Sequence, residues 1–277
     1  MSSAETQAGA PGAPADGGPL LRLRGVSKSF GPVQALTGVD FDVSPGEVVA
    51  LVGDNGAGKS TLIKAISGVA PADDGEFVWD GRSVRVNAPP DSAALGIAVV
   101  YQDLALCDNL DVVANLFLGR EERRGPGLAP LDEIAMEQEA KNLLASLAVR
   151  TLKSVRAEVG ALSGGQRQSI AIARSLLGDP RMVILDEPTA ALGVAQTAQV
   201  LDLVVRLRER GLGVILVSHN LGDVFQVADR VVVLRLGRNA GEFPADAGHR
   251  QDVLAAITGA HDDLGRLGGP DAKEVGS

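Results

Sequence analysis

The residues from Gly53 to Thr61, Gly-Asp-Asn-Gly-Ala-Gly-Lys-Ser-Thr, have the types and spacing that point most directly to chemistry, because they match G-x-x-x-x-G-K-[ST]. The apolar, β-branched run at residues 47–52 predicts a buried strand before them. Residues 62–67 predict a helix after them, which Gly68 ends. A glycine loop between a strand and a helix start directs backbone N–H groups, and the partial positive charge of the helix, toward one point. The stretch therefore predicts a site for the phosphates of a nucleoside triphosphate.

Individual side chains of this loop have distinct expected tasks. Lys59 is expected to reach the β- and γ-phosphates, and the Ser60 hydroxyl to ligate Mg²⁺. The alternative is an ordinary glycine-rich turn, but the pattern arises by chance in only about one chain in a hundred. The other loop positions expected to contact the nucleotide are Gly53, Asp54, Asn55, Gly56, Ala57, Gly58 and Thr61.

Two acidic residues follow a second apolar strand, and a histidine follows a third. Residues 182–185 are apolar and lead into Asp186 and Glu187. Asp186 is expected to hold the Mg²⁺ shell, and Glu187 to orient and deprotonate an attacking water, which is worth roughly 10²–10⁴-fold in rate. His219 ends the apolar run at residues 214–217, and a structural role is its alternative. Because ligands gather at the carboxyl edge of open parallel sheets, we expect all three side chains at one edge.

The composition disfavours several classes of function. At 277 residues, with 45% hydrophobic residues, the chain is long enough for one sizeable core with an inserted subdomain. The formal net charge of −9 argues against nucleic acid or an anionic lipid surface as the main partner. No apolar run approaches the roughly 20 residues that span a bilayer, and residues 1–19 do not resemble a signal peptide. The single cysteine, Cys107, is expected to pack as a small hydrophobe, and we expect a cytoplasmic protein.

Strands and helices are predicted to alternate between two disordered polar tails, residues 1–19 and 262–277. Strands are predicted at residues 20–26, 39–43, 47–52, 76–81, 97–101, 182–185, 214–217 and 231–234. Helices are predicted at residues 62–67, 112–118, 131–147, 167–177 and 195–210, with a surface loop at residues 120–130. This alternation predicts an α/β fold whose mostly parallel sheet has helices on its faces, with a helical subdomain inserted at about residues 103–177.

The motifs occur in an order that is similar to the nucleotide-binding subunits of ABC transporters. They are residues 53–61, Gln102, Leu162-Ser163-Gly164-Gly165-Gln166, Asp186-Glu187 and His219. The resemblance covers about residues 20–240, and the Leu-Ser-Gly-Gly-Gln run is very specific at this place. It implies an ABC nucleotide-binding domain over residues 20–261, with a P-loop NTPase core and a small antiparallel β subdomain. It also implies an active ATPase.

The resemblance also assigns roles to single residues. By its turn pattern alone Phe30 is a partly buried core residue, whereas the resemblance implies that it stacks on adenine. Gln102 resembles the glutamine that touches Mg²⁺ or water, and His219 resembles the histidine that contacts the γ-phosphate. Ser163, Gly164, Gly165 and Gln166 would serve the ATP held by a second copy. Two chains would then close head-to-tail over two ATP molecules.

Further stretches resemble one branch of the family, the ATPases of bacterial ribose, xylose, fructose and galactose importers. They are Asp54 and residues 103–106, 115–121 and 218–224. This branch implies integral membrane permease subunits, an extracytoplasmic sugar-binding protein, and a peripheral location on the inner face of the cell membrane. The alternatives are an ATPase for another importer, of a nucleoside or a signalling sugar, and a soluble ABC ATPase acting on ribosomes or DNA.

Two features leave questions open. Gly193 stands where the family commonly has aspartate, so the usual contact between the two ATP sites is in doubt. The predicted helix at residues 112–118 is more apolar than a solvated helix should be. Either this helix packs within the helical insert, or part of it near Gln102 lines a groove that receives a membrane subunit.

Overall fold

Two β-sheets and their covering helices make up the described part of the chain, which is residues 18–125, 129–149 and 151–260 of a computed structural model. The strands are β1 (Leu21–Phe30), β2 (Val33–Val43), β3 (Val48–Val52), β4 (Asp74–Trp79), β5 (Arg82–Val84), β6 (Ile97–Val100), β7 (Met182–Asp186), β8 (Gly213–Val217), β9 (Arg230–Arg235) and β10 (Arg238–Pro244). The helices are α1 (Lys59–Ile66), α2 (Pro89–Ala94), α3 (Val112–Phe117), α4 (Glu133–Ser146), α5 (Gly164–Leu176), α6 (Val194–Glu209), α7 (Leu221–Val227) and α8 (Arg250–Thr258). The predicted tails lie outside the described residues, except for Gly18 and Pro19.

The larger sheet has the strand order β10-β9-β3-β8-β7-β6. Its five strands from β9 to β6 are parallel, and β10 pairs antiparallel with β9 at one edge. Every residue of β3 and β8 is buried, as expected for central strands covered on both faces. The carboxyl ends of β3, β7 and β8 therefore meet at one edge, where the phosphate loop, Asp186 and His219 follow them.

The smaller sheet is antiparallel, in the order β2-β1-β4-β5. β1 and β2 form a hairpin that runs to Phe30 and Val33, beyond the strands predicted at residues 20–26 and 39–43. Arg230 joins this sheet to the larger one, because its Nε donates to Glu47 at 2.9 Å and its Nη2 to the Asp42 carbonyl at 2.8 Å. Burial would lower the pKa of Arg230, but the bonds to Glu47 and Glu242 outweigh it and raise that pKa above its ordinary value.

The helical segment between β6 and β7 contains α3, α4 and α5. The apolar side chains of α3 that are buried in the core are Val112, Val113, Leu116 and Phe117. These positions therefore pack within the insert, and the docking interpretation is wrong for them. Cys107 is half-buried before α3, where its backbone N–H donates to Asn115 Oδ1 at 2.7 Å. Among the described residues, no helix combines the length and apolar character needed to cross a membrane.

Candidate functional site

The phosphate loop adopts a backbone that requires glycine. Gly53, Gly56 and Gly58 have φ values of 148°, 82° and 106°, in the left-handed region that side chains rarely adopt. A Cβ on Gly53 would collide with the Leu234 carbonyl oxygen, and one on Gly58 would lie 2.8 Å from Leu36 Cδ2. Helix α1 begins directly after Gly58 without a side-chain cap, so its first N–H groups are not used by a capping side chain.

Lys59 folds back over this loop. Its Nζ donates to the Gly53 carbonyl oxygen at 2.6 Å and to the Asp54 carbonyl oxygen at 3.1 Å. The neighbouring Ser60 is exposed at the start of α1. An ammonium at the mouth of a glycine loop is a point charge for phosphate oxygens, and the serine hydroxyl is a hard ligand for a cation beside them.

Asp186 ends β7 and is half-buried. Burial raises the pKa of its carboxyl above the ordinary value, and the neighbouring Glu187 charge adds to the rise. The Lys59 and Lys64 charges oppose that rise in pKa, so the phosphate-loop lysine interacts electrostatically with the Asp186 carboxyl. The Ser60 hydroxyl and the Asp186 carboxylate are both hard oxygen donors, the kind of ligand that Mg²⁺ takes together with phosphate and water oxygens.

Glu187 and His219 lie together at the carboxyl edge. The distance from Glu187 Oε2 to His219 Nδ1 is 2.8 Å. Glu187 has a φ of 50°, which is unusual for a residue other than glycine and costs about 1–3 kcal/mol. Its backbone N–H donates to the Val217 carbonyl oxygen at 2.9 Å, which fixes this strained residue on the end of β8. The carboxylate is more buried than the imidazole, which is mostly exposed.

Phe30 and Gln102 lie at exposed positions. Phe30 is the last residue of β1 and is 48% exposed, so the placement in the core favoured by the turn pattern is wrong. The reason is that β1 continues to the end of a hairpin that protrudes from the core. Lys28 Nζ lies 5.6 Å from the centroid of the Phe30 ring. Gln102 is exposed two residues after β6, on the segment that leads into the helical insert.

The Leu-Ser-Gly-Gly-Gln run forms the start of α5. Ser163 is the N-cap, and its Oγ accepts from Gln166 N at 3.4 Å while Gln166 Oε1 accepts from Ser163 N at 2.9 Å. Gln166 Nε2 donates to the Thr151 carbonyl oxygen at 2.7 Å. These bonds bind the run to the helical insert and not to this chain's own phosphate loop. Gly164 lies against Leu192, just before α6, and Gly165 lies against Gln196 on its first turn; an added Cβ would lie 2.9 Å from a side-chain carbon of that neighbour in each case.

A family model described as ABC transporter matches residues 36–190. The chain belongs to the ABC transporter family. It is similar to the fructose import ATP-binding protein of Rhizobium meliloti, with 44% identity over 87% of this chain and 95% of that protein. It is also similar to the xylose/arabinose import ATP-binding protein of Sulfolobus acidocaldarius, with 47% identity over 79% and 86%. A ribose import ATP-binding protein of Rubrobacter xylanophilus is 44% identical, and this ABC protein spans only 47% of its length.

Solved structures are similar to this ABC protein over most of its length. A nucleotide-free ATP-binding cassette from an ABC transporter has a TM-score of 0.75 and 27% identity, over 86% of this chain and 95% of that one. A dimeric cassette in a post-hydrolysis state, bound to ADP and phosphate, has a TM-score of 0.66 and 26% identity, over 82% and 99%. The predictions of an α/β fold and of a nucleotide-binding ABC ATPase are confirmed.

One buried polar contact of this ABC ATPase escaped the sequence analysis. Thr189 Oγ1 donates to Asp223 Oδ2 at 2.7 Å. Asp223 is only 6% exposed, on the first turn of α7. The signal in the sequence was an acidic residue in an apolar stretch four residues after His219. The sequence does not predict this contact, because its two residues are 34 positions apart in the chain.

A groove lies beside Gln102, where the chain enters the helical insert. Its cavity measures about 410 Å³, and its lining includes the exposed apolar side chains of Tyr101 and Leu118. Arg120 and Arg174 also line it, and the Arg174 guanidinium donates to two carbonyl oxygens at 2.8 Å. Burial lowers the pKa of Arg174, and the Arg120 charge lowers it further. The groove thus combines apolar side chains with two guanidinium groups, and the Asp103 carboxylate and several serines also line it.

Proposed function

We propose that this ABC ATPase energises a sugar importer by hydrolysing ATP in a head-to-tail dimer. The observation that carries the hydrolytic mechanism is the 2.8 Å contact between Glu187 and His219 at the sheet edge that also bears Asp186. The names of the most similar relatives, which are fructose, xylose/arabinose and ribose import ATP-binding proteins, support sugar as the cargo.

In the proposed mechanism, the phosphate loop and Lys59 bind the ATP phosphates, and Phe30 stacks on the adenine. Bound Mg²⁺, held by Ser60, Asp186 and Gln102, would neutralise the charge on the phosphates. Burial of Asp186 favours its neutral form, and the Lys59 charge favours the carboxylate that a cation requires.

Glu187 accepts a proton from the attacking water in this mechanism. The water oxygen bonds to the γ-phosphorus while the bond from that phosphorus to the ADP oxygen breaks. His219, beside Glu187, contacts the γ-phosphate. The strained backbone of Glu187 supports this role, because such strain is tolerated mainly where function requires it.

The second copy of the chain supplies the other wall of each ATP site in the proposed dimer. Ser163 and Gly164 are exposed at the start of α5, and the N-terminus of a helix suits a phosphate. Val194, which follows Gly193 on α6, is 90% exposed, and a large apolar side chain beside this helix start favours a surface that a partner covers. The dimeric solved relative is consistent with such an assembly.

The groove beside Gln102 is the proposed docking surface for a permease subunit. Its apolar lining suits a helix of the permease, and Arg120 and Arg174 suit an acidic residue on that helix. An extracytoplasmic sugar-binding protein would act through the permease, so the ATPase would work on the inner face of the cell membrane.

Glu187→Gln tests the hydrolytic mechanism. The variant is expected to bind ATP and to hydrolyse it roughly 10²–10⁴-fold more slowly, because the base is lost while the phosphate loop remains. An ATP-trapped dimer should then elute from a sizing column. Glu76→Gln, the same change at an exposed position of β4, should retain the parent rate. Hydrolysis near the parent rate in Glu187→Gln would show that Glu187 is not the base.

Mixing two inactive variants tests the shared site. Lys59→Ala removes the charge on the phosphates, and Ser163→Arg fills the closing surface, so each homodimer should be inactive. Each ATP site of the proposed dimer combines Lys59 of one chain with Ser163 of the other. In a heterodimer of the two variants, one site therefore contains both substitutions and the other contains neither, so the mixture should regain hydrolysis. Each variant must first be shown to fold and dimerise. If no mixing ratio restores activity, an ATP-dependent cross-link of the heterodimer distinguishes separate sites from strictly coupled ones.

A charge placed in the groove tests docking. Leu118 is 46% exposed at the groove, so Leu118→Asp should abolish sugar uptake while the isolated protein keeps its ATPase rate. Ile134→Asp is the matched control, because Ile134 is 73% exposed on α4 and is not part of the groove lining. Normal uptake with Leu118→Asp would rule out this groove as the docking surface.

A further inference from the structure

The loop after β7 and the helix that follows His219 are joined by a partly buried hydrogen bond between Thr189 and Asp223. Thr189 lies two residues after Glu187, and Asp223 lies four residues after His219. The Oγ1–Oδ2 distance is 2.7 Å, and the acceptor carboxyl is 6% exposed. A hydrogen bond to a carboxylate that is shielded from solvent is stronger than one in water, because the protein interior has a lower dielectric constant and screens the charge less.

The loop that carries Glu187 has a strained backbone, which contacts with neighbouring elements must hold in place. Glu187 and Ala191 both have left-handed backbones, with φ values of 50° and 59°. Such conformations persist only where surrounding contacts enforce them. The backbone contacts that do so include Glu187 N to the Val217 carbonyl oxygen, at 2.9 Å. The Thr189 hydroxyl adds a side-chain anchor on the opposite flank of Glu187.

Capping of α7 does not account for the Asp223 carboxylate. Asn220 is the N-cap of this helix, and its Oδ1 accepts from Gly222 N at 2.9 Å. The Asp223 carboxylate instead accepts from Thr189, which belongs to a different element. The hydrogen bond of the Asp223 carboxylate therefore connects the segment that bears Glu187 to the segment that bears His219.

We propose that Thr189 and Asp223 are positioning residues, whose hydrogen bond holds the Glu187 carboxylate and the His219 imidazole in their mutual geometry for ATP hydrolysis. This inference rests on the proposed function, in which Glu187 is the base. The pair acts through the loop after β7 and through helix α7, and it has no direct role in the chemical step. Loss of the bond lets the strained Glu187 backbone relax, so the carboxylate leaves the line of the attacking water.

Thr189→Val tests the proposal, because it keeps the shape of the side chain and removes the hydroxyl. We expect kcat to fall about 10- to 100-fold, the range for a misplacement of about 1 Å, while the KM for ATP stays within about threefold. Thr189→Ser should restore kcat to near the parent value, since it restores the hydroxyl. Thr258→Val is the matched control, because it removes a hydroxyl that bonds within α8, away from the site. Its kcat should be unchanged.

A double-variant comparison tests whether the two residues act through one bond. Thr189→Val, Asp223→Ala and the combined variant should all have similar kcat values, because any one of them removes the whole interaction. Losses that multiply in the combined variant would overturn the proposal. If Thr189→Val does not fold, Thr189→Ala replaces it, since the smaller side chain lets water reach the Asp223 carboxylate.

The outcomes separate this inference from the proposed function. If Glu187→Gln is inactive but folded Thr189→Val keeps kcat within about threefold of the parent, the positioning proposal fails and the base assignment stands. A loss that appears only in KM, or only as a lower unfolding temperature, also overturns it. If Glu187→Gln hydrolyses ATP normally, the proposed function itself fails.

Discussion

Gly193→Asp is expected to stabilise this ABC ATPase by about 1 kcal/mol, which corresponds to a rise of roughly 2–4 °C in the unfolding temperature. Gly193 is the N-cap of α6, with ordinary extended backbone angles of −74° and 162°. A Cβ there meets no atom within 4 Å, so the side chain fits without strain. Three small contributions add: a better N-cap, an anion at a helix N-terminus, and a less flexible unfolded chain.

Two further substitutions at the same position separate those contributions. Gly193→Asn caps the helix without a charge, and Gly193→Ala changes only the flexibility of the chain. The difference between Asp and Asn in thermal unfolding should shrink as salt is raised, because only the aspartate interacts with the helix dipole through its charge. An unchanged or lower unfolding temperature with Asp would refute the conclusion that position 193 has free space and a compatible backbone.

The same substitution also has an expected effect on turnover. Gly193→Asp introduces the residue type that the family resemblance associates with a contact between the two proposed ATP sites. The experiment adds Gly193→Asp to both the Lys59→Ala variant and the Ser163→Arg variant, and then mixes the two double variants. The mixture should recover less ATPase activity than the same mixture with Gly193→Asn in both. Equal recovered activity with the two residues would show that an aspartate at this position does not couple the sites.

Three further outcomes are expected. Phe30→Ala should weaken ATP binding at least about fivefold by fluorescence titration, because stacking on a base is worth about 1–3 kcal/mol, while Val33→Ala on the same exposed hairpin should not. A hydrogen bond from the Lys28 ammonium lowers the pKa of the Asp73 carboxyl in the folded protein below its ordinary value of 3.8. The ionised carboxylate therefore stabilises the fold above pH 3.8, and this stabilisation is lost as the pH falls through the lower pKa of the folded state. Asp73→Asn should accordingly make the free energy of unfolding depend less on pH in the acid range. An unchanged acid profile would contradict this. Gly53→Ala should abolish ATP binding and lower the unfolding temperature. Gly56→Ala should lower both the affinity for ATP and the unfolding temperature by less, because an added Cβ there meets no atom within 4 Å.

Much of the site was predictable because its residues follow strands that the sequence marks clearly. The apolar runs before Gly53, Asp186 and His219 are short and continuous, and parallel strands deliver such ends to one edge. The start of α5 was predictable for a local reason, since Ser163 and Gln166 form a capping box at the ordinary spacing.

The features that were missed depend on contacts between distant parts of the chain. The exposure of Phe30 follows from the β1–β2 hairpin, whose outer end lacks the apolar alternation that marks a strand. β10 is a partly exposed edge strand with little apolar pattern. The bond between Thr189 and Asp223 joins residues 34 positions apart, and neither residue type predicts the other. The buried face of α3 could not be told from a docking face, because both are apolar.

The close approach of Gly165 to α6 limits how this protein can evolve. A Cβ on Gly165 would lie 2.9 Å from the Cβ of Gln196, so any residue other than glycine at position 165 requires either a shift of α6 or a smaller residue at position 196. Among the amino acids only glycine lacks a Cβ, and in α6 it would cost up to about 1 kcal/mol in helix propensity. A substitution at position 165 therefore costs stability, either through a shift of α6 or through glycine at position 196, and this cost restricts the sequences that the position accepts.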